Sequence, residues 1–378
     1  MNKTNICLNM IVKNETPVLE RLINSVKDII DYYVIVDTGS TDGTPEFIKT
    51  QMAHYQIPGE VLCREWVNFA VNRNQALEAA CARRNHGWLL LIDADDELSV
   101  TEVDFYRHLT PGTTYCLRKH SVSMRYSLTN LIDISQTRWR WQGVVHEYLE
   151  QLDGNNTRVT LEQVWIETHP GEGVRSRGFS DEQKYLSDAR LLEIELAQNP
   201  NDHRSQFYLA QSYRDAGHLE AAYLHYLKRA NMGGWAEESF YAQLQAAQIA
   251  AQLNKPSAIV MEAYLQAYEL RPSRAEALHG LAVYCRIQRQ FNLAYLFLQQ
   301  ALQLPYPDDL LFVNPEVYQW RLLEEMGISG YWAGHYQAAK DAGEKILHLQ
   351  ATGVITLSEA DLTRIRENLN FAISKLTT

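Results

Sequence analysis

From residue 4 to about residue 95, short apolar runs alternate with segments of helical periodicity, and the runs end in clusters of polar turn residues. That alternation is the pattern of βαβ units feeding a parallel sheet. It predicts strands at Ile6–Val12, Tyr32–Val36, Glu60–Cys63 and Trp88–Ile92. Between them, Thr16-Pro17 caps and starts one helix, Thr44-Pro45-Glu46 starts a second, and a third runs from about Phe69 to Arg84. In an open parallel sheet, ligands bind beyond the carboxyl ends of the strands. The polar loops follow those ends: Lys13-Asn14-Glu15, then Asp37-Thr38-Gly39-Ser40-Thr41-Asp42, then Asp93-Ala94-Asp95-Asp96-Glu97.

Past about residue 110 the pattern becomes extended, at 113–124 and 126–135, then in the aromatic-basic run Arg138-Trp139-Arg140-Trp141, and again near Leu161–Ile166. These segments are expected to continue the sheet as antiparallel edge strands. The glycine-rich stretch from His169 to Gly178 reads as a loop able to close over an anion, with Arg175 and Arg177 as its cations. From Ser180 onward the chain is helical, opened by a capping box of Ser180 and Gln183. Tyr208-Leu209-Ala210 with Ala222 recurs as Gly280-Leu281-Ala282 with Ala294, two periods of about 36 residues on. Pro200, Pro272 and Pro305 punctuate the same rhythm. Helix pairs with small residues at packing positions and a terminal proline mark tetratricopeptide-type solenoids. Four pairs are expected, at 203–234, 238–272, 275–307 and 317–349, with a last helix capped by Ser358 and ending near Leu376. The reading is an α/β domain over residues 1–178 and an all-α repeat domain over 179–378.

Composition narrows the function. A net charge of −11, with no basic run, disfavours nucleic acid as a partner on average, while leaving room for a local anion pocket. The five cysteines show no CxxC pair, which argues against a disulfide framework or a zinc site and suggests buried thiols in a reducing compartment. No window approaches the ~18 apolar residues of a spanning helix, and Met1 to Asn14 reads as a first strand rather than a signal peptide. A cytoplasmic protein with no membrane span is expected.

The loops carry the chemistry. Trp88-Leu89-Leu90-Leu91-Ile92 is a buried strand that delivers Asp93 and Asp95 to one point. Hard cations such as Mn²⁺ or Mg²⁺ take oxygen ligands, and a diphosphate supplies the rest of the shell. An acidic turn also serves merely to solubilise a loop. Asp37 suits a base N–H, and Gly39 permits close backbone approach. Arg73, in the first turns of the third helix, suits a base or a phosphate. His146, Glu147 and His169 offer a further metal ligand and a general base, although His146-Glu147 after Gly143-Val144-Val145 also reads as a helix start.

Four blocks, Asn9 to Glu15, Ile35 to Asp42, Trp66 to Asn74 and Asp93-Ala94-Asp95, together resemble the family-two glycosyltransferases of GT-A fold. The likeness is greatest to the subgroup with C-terminal tetratricopeptide repeats, which includes S-glycosyltransferases of bacteriocins. Gly143-Val144-Val145-His146-Glu147 and His169-Pro170-Gly171 match that subgroup's later blocks, while Trp139-Arg140-Trp141 departs from it. The resemblance implies that Val12, Asp37 and Arg73 hold the nucleobase and Asp93 the ribose. Asn14, Glu15, Gly39, Ser40 and Ala94 then line the donor site, with Arg175 or Arg177 on the diphosphate. It gives the metal to Asp95 with His169, His146 being able to exchange roles with His169, and proton transfer to Glu147.

The implied activity is inverting, metal-assisted transfer of a hexose or N-acetylhexosamine from a UDP-sugar to a peptide or protein, with the repeats docking the acceptor or forming a homodimer. Three alternatives are a catalytically silent nucleotide-binding scaffold, an enzyme for oligosaccharide or lipid acceptors, and a nucleotidyltransferase.

Overall fold

A computed structural model describes residues 4–102, 104–120, 125–153, 157–169, 171–174 and 180–377. Its first part follows the expected βαβ order: β1 (Ile6–Val12), α1 (Thr16–Val26), β2 (Tyr32–Asp37), α2 (Thr44–His54), β3 (Gly59–Cys63), α3 (Phe69–Arg83) and β4 (Trp88–Leu91). The four strands are parallel, in the order β3-β2-β1-β4. Both faces of β1 are covered, which is why it reads as an almost unbroken apolar run. Ile6, Leu8 and Met10 pack with Leu19 and Leu22 of α1 and Ile48 and Met52 of α2. Cys7, in the opposite phase, packs with Leu77 and Ala80 of α3.

Thr16 is the first residue of α1 rather than its cap. The orphan N–H groups at that helix start are satisfied from the next loop. Asp42 Oδ2 accepts from Thr16 N at 3.2 Å, and Thr44 Oγ1 accepts from Glu15 N and Thr16 N at 2.9 and 3.1 Å. Asp42 Oδ1 accepts in turn from Thr44 N at 3.0 Å. One carboxylate thus starts two helices and locks the loops after β1 and β2 together.

The remaining strands are β5 (Glu97–Val100), β6 (Thr113–His120), β7 (Arg125–Asp133), β8 (Trp139–Gln142), β9 (Tyr148–Gln151) and β10 (Thr157–Glu167). They complete an eight-stranded sheet in the order β3-β2-β1-β4-β7-β6-β10-β5. The extension is mixed rather than purely antiparallel, because β10 runs parallel to β6. The aromatic-basic run does not join it: β8 pairs with β9 in a separate two-stranded ribbon. His146-Glu147 starts no helix either, since it lies in the turn that feeds β9, where Gly143 and His146 both take positive φ.

The chain divides into two compact units, residues 1–200 and 201–378. The helix α4 (Asp181–Gln198), with its Ser180–Gln183 capping box, therefore groups with the first unit, whereas the sequence boundary at 178/179 gave it to the second. The solenoid begins at α5 (His203–Asp215), capped by Asp202, and pairs it with α6 (Leu219–Asn231). Three more pairs follow: α7 (Ala236–Gln252) with α8 (Ser257–Leu270), α9 (Glu276–Ile287) with α10 (Phe291–Ala301), and α11 (Leu322–Trp332) with α12 (Tyr336–Ala351). A π-helical turn at Val317–Arg321 leads into α11, and α13 (Glu359–Leu376) closes the unit with Ser358 as its cap. The repeated small residues Ala210, Ala222, Ala282 and Ala294 are fully buried, as the period required. The connector before α11 is tied to the repeats by Asp309, which pairs with Arg271 and the buried Arg274.

All five cysteines are free, but only Cys7 and Cys285 are buried; Cys63 and Cys81 are exposed, against the expectation of buried thiols. Among the described residues, no helix is long and apolar enough to cross a membrane.

Asp42→Ala removes a shared cap from α1 and α2 and is expected to lower the unfolding free energy of the first unit by about 1–2 kcal/mol. The check is a lower urea midpoint, and an unchanged midpoint would refute the shared-cap account.

Candidate active site

The register β1–β2–β3 aligns Val12 with Asp37 and Asp37 with Cys63, so the loops after these strands open on one edge. The loop after β4, with Asp93, Asp95 and Asp96, opens on the same edge, because β4 runs parallel to β1. At the end of β2, Asp37 is buried. Its Oδ2 accepts from Gly39 N and Ser40 N, both at 3.1 Å, in a turn that needs the positive φ of Gly39. Asp37 Oδ1 is buried without a hydrogen-bond partner among the described residues. A buried, unpaired carboxylate oxygen is costly, which makes it a point where a ligand N–H would be received.

The neighbouring predicted residues mostly build the loop. Val12 O accepts from Thr38 N and Thr38 Oγ1 at 2.9 and 3.1 Å. Asn14, at positive φ, donates its N–H to Ser40 Oγ at 2.8 Å and accepts from Thr41 N at 2.7 Å. Glu15 is buried, and its Oε1 accepts from Val174 N at 3.0 Å. Ala94 is buried between the two acidic residues of its turn.

Arg73 joins three loops. Asn68 caps α3 by accepting from Val71 N at 2.8 Å, and the fully buried Asn72 holds the approach to the helix by accepting from Val67 N and donating to Glu65 O. From this fixed first turn, Arg73 Nη2 donates to Asp93 Oδ1 at 2.6 Å and Nε donates to Glu147 Oε1 at 2.7 Å. The guanidinium lies 5.0 Å from the ring centroid of Trp141. Burial disfavours its charge, but Asp93 and Glu147 outweigh burial and raise its pKa. The family resemblance assigns Arg73 to the nucleobase; in the structure its guanidinium bridges the two carboxylates assigned to ribose and proton transfer.

A residue the sequence reading passed over completes the cluster. Lys119 on β6 is buried, with Nζ 2.6 Å from Asp96 Oδ2 and 3.4 Å from Asp93 Oδ2. The signal was present: Lys119 lies in phase with Tyr115 and Leu117 on the buried side of a strand, where a charge needs a partner. Burial opposes ionisation of Asp93, yet Arg73 and Lys119 hold its carboxyl below the ordinary range. Burial, and then the adjacent Asp93, push Asp95 up. The same two causes take Asp96 up to about 6 against the pull of Lys119.

The candidate metal ligands are less gathered. Among the described residues, no group of three or more His, Cys, Asp or Glu side chains converges in a manner suited to a metal ion. His169 Nε2 lies 3.2 Å from Glu97 Oε2, and His146 is exposed in the ribbon turn. Asp95 has no salt-bridge partner among the described residues; Arg21 Nη2 donates instead to its main-chain O at 2.9 Å, and Arg21 Nη1 pairs with Glu172 at 2.6 Å. Gly173 is packed on the carboxylate, since a Cβ there would lie 2.4 Å from Asp95 Oδ2. Arg175 and Arg177 lie outside the described residues. The chemistry of the donors fits a hard divalent cation only in part: among the described residues Asp93, Asp96 and Glu147 are salt-bridged to Arg73 and Lys119, and Asp95, near Arg21 and Lys119 but salt-bridged to neither, is the carboxylate open to an ion. Such an ion would draw on Asp95 and on oxygens of a bound ligand, with His169 contributing only through Nδ1 or after leaving Glu97.

Comparison with known proteins bears on the same part of the chain. Residues 7–103 match the profile of Glycosyl transferase family 2. A TPR repeat-containing protein of Synechococcus elongatus is 28% identical over 213 residues, 52% of this chain and 49% of the relative. An uncharacterized glycosyltransferase of Rickettsia prowazekii is 38% identical over 90 residues, 24% of this chain and 27% of the relative. The SPbeta prophage-derived glycosyltransferase SunS of Bacillus subtilis is 34% identical over 92 residues, 24% of this chain and 20% of the relative. The matches thus span about half the length of the first relative and 27% and 20% of the other two.

Lys119→Met leaves the buried Asp96 without its cation and is expected to cost about 3 kcal/mol or more of stability. Adding Asp96→Leu should recover most of that loss, because replacing both partners by apolar groups is close to neutral. Urea unfolding of the two variants provides the comparison, and equal stabilities for single and double variant would contradict the pairing.

Proposed function

We infer that this chain, a family 2 glycosyltransferase domain joined to tetratricopeptide-type repeats, is an inverting transferase that moves a hexose or N-acetylhexosamine from a UDP-sugar to a polypeptide side chain. The observation that carries the reading is the shared carboxyl edge, where Asp37 keeps an unpartnered buried oxygen and Arg73 ties Asp93 to Glu147. Asp37 Oδ1 receives the imide N–H of uracil, and the half-exposed Asp93 accepts from ribose hydroxyls. Asp95, with His169 or His146, would hold Mn²⁺ or Mg²⁺. When bound, that ion supplies neutralisation of the leaving diphosphate.

Glu147 is the base. It takes the proton of the acceptor hydroxyl or thiol as the acceptor atom bonds to the anomeric carbon, while the bond from that carbon to the diphosphate oxygen breaks with its electron pair. A single displacement from the opposite face inverts the anomeric centre. Arg73 keeps Glu147 and Asp93 at a fixed spacing, which is the positioning that such a displacement needs. Helical repeats offer an extended surface suited to a polypeptide, and this supports a peptide or protein acceptor.

The test is release of UDP from a panel of UDP-sugars, with Mn²⁺ or with EDTA. Turnover is expected to need the ion, and Asp95→Ala should lower it about a thousandfold or more, as several kcal/mol of lost charge stabilisation implies. Near wild-type turnover by Asp95→Ala would sink the metal assignment. Absence of UDP release under every donor would sink the transferase reading, and mass spectrometry of a treated lysate would show whether a polypeptide carries the sugar.

A further inference from the structure

Asn74 follows Arg73 on α3 and commits its whole side-chain amide to one residue of β8. Its Nδ2 donates to Trp141 O at 2.9 Å, and its Oδ1 accepts from Trp141 N at 2.8 Å. The amide therefore fills the place of a neighbouring strand. That place matters because the β8–β9 ribbon makes no ladder with the eight-stranded sheet. At its open end, where Trp139 faces Gln151, the ribbon is held by the Trp139 indole N–H to Asp133 O at 3.0 Å. At its closed end, where Trp141 faces Leu149 and Gln142 faces Tyr148, the Asn74 clamp ties the main chain of Trp141 to α3, beside the apolar packing of Trp141 and Leu149 with Leu77 and Ala80. The turn beyond that end delivers Glu147 to Arg73 Nε, and the Trp141 ring lies beside the same guanidinium.

We propose that Asn74 is a positioning residue: by gripping the main chain of Trp141 at both its N–H and its C=O, it sets where Glu147 stands relative to Arg73 and Asp93. The proposal rests on the role of Glu147 inferred above. Two hydrogen bonds to one residue fix both the height and the rotation of the strand, whereas one bond leaves a hinge. Arg73 alone cannot substitute, because its contact with Glu147 is made through a side chain at the end of a turn containing two positive-φ residues. A displacement of about 1 Å in a reacting group costs on the order of a hundredfold in rate. Loss of the clamp should therefore appear in turnover and not in donor binding.

The experiment compares Asn74→Leu, Asn74→Asp and Asn74→Gln with Arg138→Ala, which removes an exposed ion pair to Asp153 at the open end of the same ribbon. Asn74→Leu is expected to lower kcat by about thirtyfold to a hundredfold, with KM for the UDP-sugar and Kd for UDP within about twofold of wild type. Asn74→Asp, which keeps the acceptor but loses the donor, should fall between, Asn74→Gln should restore part of the rate, and Arg138→Ala should leave kcat unchanged. Hydrogen exchange gives a readout independent of activity: amides of 139–149 should exchange at least about tenfold faster in Asn74→Leu, while those of β1 stay as in wild type. Wild-type kcat in Asn74→Leu, or a loss of kcat matched by equal weakening of UDP binding, would overturn the proposal. If the wild-type protein turns over no UDP-sugar, the transferase reading fails by itself, and wild-type exchange rates over 139–149 in Asn74→Leu would still overturn the clamp.

Discussion

Arg73 stands where three pieces of chain with no common ladder meet: the first turns of α3, the loop after β4 and the turn before β9. Its planar fork makes one charge-assisted bond to Asp93 and another to Glu147, an arrangement that a lysine could not reproduce. Four carboxylates gather around it and Lys119. Without those two cations, like charges at this spacing would drive the acidic turn apart or force protons onto it. The acidic turn is thus held in place by the two cations it surrounds.

The parallel half of the sheet was legible because burial on both faces writes itself as apolar runs, and because helix starts carry Pro17, Pro45 and Asn68. The solenoid was legible through small residues recurring at one period, and Ala210, Ala222, Ala282 and Ala294 are buried as that period requires. Pairing partners beyond β4 were not legible. A strand's alternation says which face is buried but not which strand lies alongside, so the parallel β6–β10 pairing and the detached β8–β9 ribbon had to come from the structure. In the site, Asp37 and Asp93 could be located by motif and strand end. Contacts across long sequence separations, such as Arg73 with Glu147 or Glu15 with Val174, leave no local trace.

Asparagine does much of the fastening that the sheet itself does not provide. Asn9 donates to Val34 O and Ala76 O, tying β1 to β2 and α3; Asn72 fixes the approach to α3; Asn74 fixes the ribbon. Each places a donor and an acceptor on one short, uncharged arm, so it can bind main chain at depths where a charged group would need a counter-ion. The three lie along one side of the sheet with α3, and that is also the helix that carries Arg73 into the site.

Part of the residual polar imbalance of the first unit lies at the same edge, while Thr4 Oγ1 is an unpartnered atom ahead of the start of β1. Buried polar atoms in native proteins are nearly always paired, yet among the described residues Asp37 Oδ1, Arg21 Nε and Asn130 Oδ1 have no hydrogen-bond partner. Asp37 ends β2. Arg21 lies on the loop after β4 through its bond to Asp95 O, and Asn130 donates to Leu91 O, the last carbonyl of β4. Two acceptors and a donor are therefore open around the carboxyl ends of β2 and β4. Leaving such atoms unpaired is costly, and a polar ligand bound at this edge would relieve that cost.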